Sequence, residues 1–171
     1  MFEPLEHWRE FYLLIGTAAA AMVALLFVAA SIGAGYLSAD RASKTRVYMS
    51  PVVVHFTAVL VASILALVPS HTRVSLALLV GAGALGTGIY SAVVLFKVVK
   101  DKSVDWEDRS AYGIVPVICY TAGLIVAGLF FVGSHRAPEV LAGTVTLLLI
   151  DNVRNAWDLM LFLAGKRVDP P

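Results

Sequence analysis

The sequence contains a single cysteine and few charged residues, and these two shortages exclude several classes of protein. Cys119 is the one cysteine among 171 residues, so neither an intrachain disulfide nor a cysteine-based metal cluster can form. Charged residues make up 15% of the chain, whereas ordinary soluble domains have about 25%. The formal net charge is only +1, which gives no electrostatic basis for binding DNA, RNA or another acidic partner.

The motifs of common enzyme classes are also missing. The chain has no G-x-S-x-G elbow, no H-E-x-x-H zinc motif and no nucleotide-binding loop. The glycine-rich run 81–88 resembles a phosphate-binding loop only in composition, because no basic residue adjoins it. Cys119 lies in an apolar stretch, where a thiol is inert. We therefore predict that the chain is not an enzyme, and we expect no catalytic residue, no cofactor and no metal ion.

Apolar residues, in contrast, are abundant. They make up 59% of the chain, and the mean hydropathy is +0.83, whereas ordinary soluble domains are about 45–50% apolar. A soluble fold of this size could not cover so much apolar surface. This excludes a soluble enzyme, a disordered chain and a disulfide-stapled secreted domain. We predict an integral membrane protein whose main partner is the lipid bilayer.

Five apolar segments are long enough to cross a membrane as helices, since a spanning helix needs about 20 mostly apolar residues. The segments are continuous and lack the alternation of barrel strands. The predicted spans cover residues 11–37, 51–68, 74–98, 112–132 and 140–163. Ser50–Pro51 predicts the start of the second span, and Pro116 predicts a kink in the fourth. The predicted fold is all-α: a polytopic membrane protein with one domain, built as a bundle of five transmembrane helices.

Basic residues alternate between the two sides of this layout. Arg9, Arg73 and Arg136 lie on the side of the N-terminus. Nine lie on the opposite side: Arg41, Lys44, Arg46, Lys97, Lys100, Lys102, Arg109, Lys166 and Arg167. Because cytoplasmic loops carry the excess of Lys and Arg, we predict an outer N-terminus and a cytosolic C-terminus in a bacterial inner (plasma) membrane. Without the fifth crossing, the ratio of 3:9 would fall to 5:7, which favours five crossings.

The fifth span contains polar side chains that lipid would reject. Asp151, Arg154, Asn155 and Asp158 follow the spacing i, i+3, i+4 and i+7, which places them on one helical face. A charge at the bilayer centre costs about 2.5–3.5 kcal/mol on insertion scales. Arg154 can pair with one of the two acids, and one carboxylate is then left over. This polar stripe, which has Asp151 near the middle of the span, must face other helices, a water-filled cavity or a neighbouring subunit.

His55 lies one turn inside the cytosolic end of the second span, at a depth similar to that of Asp158. If the second and fifth helices are neighbours, these two residues could meet and form a proton-linked site or a gate. The alternative is that His55 is a hydrogen-bonded packing residue. Tyr90 and Tyr120 lie at comparable depth, and a single partner would satisfy each hydroxyl.

Three further histidines share the outer side of the predicted topology: His7, His71 and His135. Imidazoles close to a carboxylate could bind zinc or sense acid. No metal-ligand spacing such as HxxxH is present, however, and the three come from distant segments. We therefore interpret them as scattered interfacial residues.

The polar stripe leads to two hypotheses about function. In the preferred one, the protein is a small channel or carrier for an ion, a proton or a small polar solute. The stripe then lines the pathway, and His55 acts near its inner mouth. Five helices enclose little space, and small residues such as Ala82/Gly86 and Ala84/Gly88 allow close helix packing, so we expect a homo-oligomer. In the alternative, the protein is a non-transporting scaffold or sensor whose ion pairs only lock helix packing or oligomerisation.

Overall fold

The computed structural model describes residues 3–34, 39–100, 106 and 110–165. These residues are 91% helical and contain no strand, which confirms the all-α prediction. A short helix precedes five long ones, and a π-helical turn, Ser110–Ile114, leads directly into the fourth of these. The helices are α1 (Glu3–Glu6), α2 (Arg9–Ala34), α3 (Ala39–Leu67), α4 (Arg73–Lys100), α5 (Val115–Phe131) and α6 (Ala137–Gly165).

Four segments of the described chain are long and apolar enough to cross a membrane. They are Arg9–Ser31, Ser50–Leu67, Arg73–Lys100 and Ser110–Phe131. The last helix, α6, has 29 residues and is about 43 Å long at 1.5 Å per residue, but its charged residues lower its hydropathy. Large apolar side chains such as Leu14, Phe96 and Ile150 point outward and are more than 60% exposed. These features are compatible with an integral membrane protein.

The two prolines do not act as the sequence suggests. Ser50 does begin the apolar segment Ser50–Leu67, as the sequence predicts, but Ser50–Pro51 does not begin the helix, because α3 begins at Ala39 and Pro51 lies inside it. Membrane helices tolerate such a proline where other groups satisfy the freed carbonyl. Pro116 lies within the first two positions of α5, directly after the π-helical turn. A proline at this position is tolerated because the first N–H groups of a helix have no partner within it.

Two helical hairpins and the last helix make up the bundle. Helices α2 and α3 pack closely together, as do α4 and α5. Helix α6 lies against α2, α3 and α5 and thereby joins the two hairpins, which also contact each other through α3 and α4.

Helix α6 extends along the whole length of the bundle. At one end the Tyr12 hydroxyl donates to the backbone oxygen of Pro138 at 2.6 Å, so α2 and α6 begin together. We call this the near end. At the other end, the far end, the Tyr112 hydroxyl donates to the backbone oxygen of Asn155 at 3.1 Å. The last helix is therefore an integral part of the bundle rather than a peripheral segment.

The described basic residues lie at the two ends of the bundle. Arg9, Arg73 and Arg136 are at the near end, and Lys97 and Lys100 are in the last turn of α4 at the far end. The other basic residues used for the orientation lie outside what the structure describes: Lys102, Arg109, Lys166 and Arg167 as whole residues, and Arg41, Lys44 and Arg46 in their side chains.

Small residues bring α4 and α5 into close contact. A Cβ atom built on Gly123 would lie 3.0 Å from the Cβ of Ala84, and one on Gly88 would lie 3.3 Å from the Cβ of Tyr120. The Ala84/Gly88 face of the glycine-rich run thus packs inside the subunit. On another face of α4, a Cβ on Gly86 would meet no atom within 4 Å.

Gly133 terminates α5 with a left-handed residue. Its φ angle is +74°, and the backbone bonds Gly133 N–H to Phe130 O and Ser134 N–H to Leu129 O form a Schellman motif. A Cβ atom at this position would also lie 2.7 Å from a guanidinium nitrogen of Arg73, at the start of α4. The positive φ angle is what favours glycine here, because the Arg73 guanidinium lies at the end of a flexible side chain and could move aside for a Cβ.

We expect Gly133→Ala to lower the stability of the bundle by about 1–2 kcal/mol, because a Cβ is unfavourable in the left-handed region. The measurement is the melting temperature of the purified protein in detergent micelles. Gly128→Ala is the matched control, because its Cβ would meet no atom within 4 Å and it lies within the helix. Equal melting temperatures for the two variants would contradict this role of Gly133.

Candidate functional site

The structure divides the predicted stripe between the inside and the outside of the bundle. Asp151 and Asn155 are buried, with 9% and 1% of their surface exposed. The side chains of Arg154 and Asp158 are 48% and 39% exposed, and Nε lies 3.9 Å from Oδ2. An exposed ion pair of this kind contributes little to stability. Asn152, which was not among the predicted site residues, is fully buried and belongs to the inner group. We call Asp151, Asn152 and Asn155 the buried polar cluster.

The direction in which α6 faces the bundle explains this division. Successive residues of a helix are rotated by about 100° around its axis. Asn155 is therefore about 40° around the axis from Asp151, and Asn152 is about 100° from Asp151 in the same direction. The buried ridge of α6 includes Leu148 and Leu159 and follows the side of the two asparagines. The spacing of these buried leucines, four residues before and seven after Asn152, is the sequence signal that could have identified this residue.

The amide of Asn155 binds a backbone carbonyl that a proline leaves without a helical donor. In the π-helical turn Ser110–Ile114, a carbonyl accepts from the N–H five residues later. For Ala111 that residue is Pro116, which has no N–H. Nδ2 of Asn155 donates to the Ala111 oxygen at 3.2 Å. The side chain thus replaces the missing helical bond and joins α6 to the start of α5.

A second amide joins the same face of α6 to α3. Nδ2 of Asn152 donates to the backbone oxygen of Val52 at 2.7 Å. The two asparagines therefore connect both hairpins of the bundle to the last helix through buried hydrogen bonds. Such bonds are worth about 0.6 kcal/mol on average in a membrane protein, with a maximum near 1.7 kcal/mol.

The buried polar cluster has more acceptor oxygens than donors. Nδ2 of Asn155 also lies 3.4 Å from Oδ2 of Asp151, so both of its protons are used and its oxygen is left as an acceptor. Within the described part of the chain, Oδ1 of Asn152 and Oδ1 of Asn155 are buried without a hydrogen-bond partner. Buried polar atoms of this kind require a partner such as water or an ion. The group that would match these oxygens is a cation, a proton or a hydrogen-bond donor.

Apolar side chains surround the polar cluster at the far end. Leu26, Val52, Phe56, Tyr112 and Ala156 pack together there, and each is at most 7% exposed. They come from α2, α3, the π-helical turn and α6. The cluster is therefore closed off from the surroundings of the bundle in this conformation.

The partners of the cluster define its depth. Val52 and Ala111 are among the first three residues of the apolar segments Ser50–Leu67 and Ser110–Phe131. Asp151 is a neighbour of the two amides that bind these carbonyls, so it lies at the level where the two apolar segments begin rather than at the level of their middle. From the sequence, Asp151 is predicted near the middle of the fifth span. The two placements differ because α6 extends beyond the level at which the apolar segments of its neighbours begin.

His55 forms a hydrogen bond with Tyr120 rather than with Asp158. Its Nδ1 lies 2.7 Å from the Tyr120 hydroxyl, and the ring centroids are 5.6 Å apart. His55 is 2% exposed and Tyr120 is 6% exposed. Asp158 instead lies beside Arg154 on the outer side of α6. This agrees with the packing alternative for His55 and removes its predicted contact with the stripe.

A cleft of about 330 Å³ lies between α3 and the α4/α5 hairpin, and α6 forms its floor. Leu141, Val145 and Leu148 contribute the floor, so the cleft and the polar cluster follow each other along one face of α6. Neither His55 nor any residue of the predicted stripe lines this cleft.

The three outer histidines all lie at the near end. His71 Nδ1 is 3.3 Å from the Ser75 hydroxyl within one helical turn. In the residues that the structure describes, no three His, Cys, Asp or Glu side chains group in a way that could hold a metal ion.

No family model matches the chain, and no curated protein and no solved structure matches it either.

We expect Asn155→Ala to destabilise the bundle by about 1–2 kcal/mol, because the Ala111 carbonyl loses its donor in an apolar environment. Pro116→Ala supplies a backbone N–H, so the same asparagine substitution should cost less in that background. The measurement is a double-mutant cycle of unfolding free energies in detergent micelles. Strictly additive effects of the two substitutions would contradict the compensation.

Proposed function

We propose that the protein is a small membrane carrier or channel for a cation or a proton, with the buried polar cluster as its binding site. The observation that supports this proposal is the surplus of acceptor oxygens beside Asp151. A carboxylate and two buried amide oxygens without donors form a set of hard ligands suited to a small cation. The same oxygens suit a proton or the donors of a small polar solute.

The closure of the cluster favours a carrier over a permanently open channel. Apolar side chains such as Leu26 and Phe56 surround the site, and Leu148 lies one turn from Asp151 on the side of the cleft. A bound ion could therefore enter and leave only after the helices move. Carriers likewise open a closed site alternately to the two sides, by moving one part of the bundle against another.

We infer that all five long helices cross the membrane, with the near end outside and the far end in the cytosol. Helix α6 spans the bundle from the Tyr12–Pro138 bond to the Tyr112–Asn155 bond, which supports a fifth crossing despite its charges. The distribution of basic residues supports the orientation. On this basis we propose a bacterial inner membrane and, from the open face at Gly86, a homo-oligomer.

The alternative is a non-transporting scaffold or sensor, and a specific observation favours it as well. The amides of Asn152 and Asn155 bind backbone carbonyls on α3 and on the turn before α5. These bonds alone could explain why polar residues are retained there. In this alternative, Asp151 only orients the amide of Asn155.

We expect Asp151→Asn to lower cation or proton flux into liposomes about tenfold or more, because a bound cation would lose its charged ligand. Asp158→Asn is the matched control, since this acid lies on the same helix but is half-exposed and paired outside the cluster. Flux is measured with the purified protein, and melting temperatures check that both variants fold.

Loss of folding by Asp151→Asn without a specific loss of flux would support the scaffold. Flux that neither substitution changes would remove the cluster from the pathway.

The topology has a separate test in reporter fusions. A reporter joined after Pro171 should read as cytosolic, and one joined after Arg136 should read as external. The measurement is the activity of a phosphatase that works only outside the cytosol. An external signal from the Pro171 fusion would contradict the fifth crossing.

A further inference from the structure

The cleft between α3 and the α4/α5 hairpin is open to the side of the bundle. Val61 and Leu79 line it and are 46% and 41% exposed, at positions well inside apolar spans. The opening therefore lies at the depth of the lipid chains rather than at either end of the bundle. A molecule that enters it comes from the membrane phase.

The walls of the cleft contain almost no available polar group. Its three threonine hydroxyls donate to carbonyls of their own helices: Thr57 to Val53 at 2.8 Å, Thr87 to Gly83 at 2.6 Å and Thr144 to Val140 at 2.8 Å. No lysine, arginine, histidine, aspartate or glutamate lines the cleft in the described part of the chain. An occupant must therefore be mainly apolar and uncharged.

Two other polar side chains line the cleft, Cys119 and Tyr120, and the Tyr120 hydroxyl is the stronger hydrogen-bonding group of the two. Tyr120 lines the cleft, and its hydroxyl lies 2.7 Å from Nδ1 of His55. If Nδ1 carries a proton, the tyrosine hydroxyl can donate to an occupant, and otherwise it can only accept from one. A hydroxyl group on the occupant both donates and accepts, so it fits either tautomer of the histidine.

We propose that this cleft is a binding site for an uncharged, single-chain lipid alcohol, with the chain along the apolar walls and the hydroxyl on Tyr120. The volume of about 330 Å³ lies within the range of about 300–1,000 Å³ typical of small-molecule pockets, which are mostly apolar with a few placed polar groups. The site is separate from the buried polar cluster and does not depend on the transport proposal.

The test is photolabelling of the protein in phosphatidylcholine nanodiscs with a diazirine-bearing dodecanol. We expect saturable labelling of peptides that line the cleft, with competition by unlabelled dodecanol. A phosphatidylcholine that carries the same diazirine should instead label outward-facing positions such as Phe96 and Ile150. Equal labelling of the cleft by both probes would mean that ordinary bilayer lipid fills it, and it would overturn the proposal.

Two glycines of α4 provide a matched pair of variants. Gly83 lines the cleft and Gly86 does not, and a Cβ on either would meet no atom within 4 Å. Gly83→Leu should fill the cleft and reduce dodecanol labelling severalfold, whereas Gly86→Leu should leave it unchanged. Labelling that persists in Gly83→Leu would overturn the assignment of the site.

Tyr120→Phe tests the recognition of the hydroxyl. It keeps most of the cleft volume, so a diazirine-bearing dodecane without the hydroxyl should label as before. The affinity for dodecanol should fall about two- to tenfold, the value of one hydrogen bond. An unchanged ratio between alcohol and alkane labelling would overturn the role of Tyr120.

Discussion

The hydrogen bond from Asn155 to the Ala111 carbonyl is the interaction on which the polar part of the bundle depends. A chain in lipid must satisfy its backbone groups internally, and Pro116 removes one donor near the start of α5. An amide on α6 can replace it only if that face of α6 turns inward. This orientation brings Asn152 inside as well and leaves Arg154 on the outer surface. The carbonyl beside this proline and the apolar ridge of α6 therefore favour the same orientation of the last helix.

The inner face of α6 has two chemically different halves. Near its start, leucine and valine side chains form the floor of an apolar cleft, and further along Asp151 and the two asparagines form a polar group. Leu148 lies at the boundary. Helix α6 also contacts both hairpins, so both halves of this face lie inside the bundle.

The helical architecture could be read from the sequence, because long apolar runs determine it directly. The position of Asp151 on one face of α6 could also be derived from the 3.6-residue period. That period says which residues lie together, but not which side of the helix the bundle covers. The split between Asp151 and Asp158, and the burial of Asn152, depend on contacts with α3 and α5. Such contacts join residues that are distant in sequence, and propensity or spacing does not encode them.

The bond between Tyr12 and Pro138 has a consequence for the order of folding. It joins α2 and α6 across 126 residues of sequence. The carbonyls of Val52 and Ala111 likewise take their side-chain donors from α6, through Asn152 and Asn155. Each hairpin can form through contacts of its own, whereas these three bonds can form only when α6 packs against both. The contacts of α6 are therefore long-range ones that complete the bundle after its hairpins.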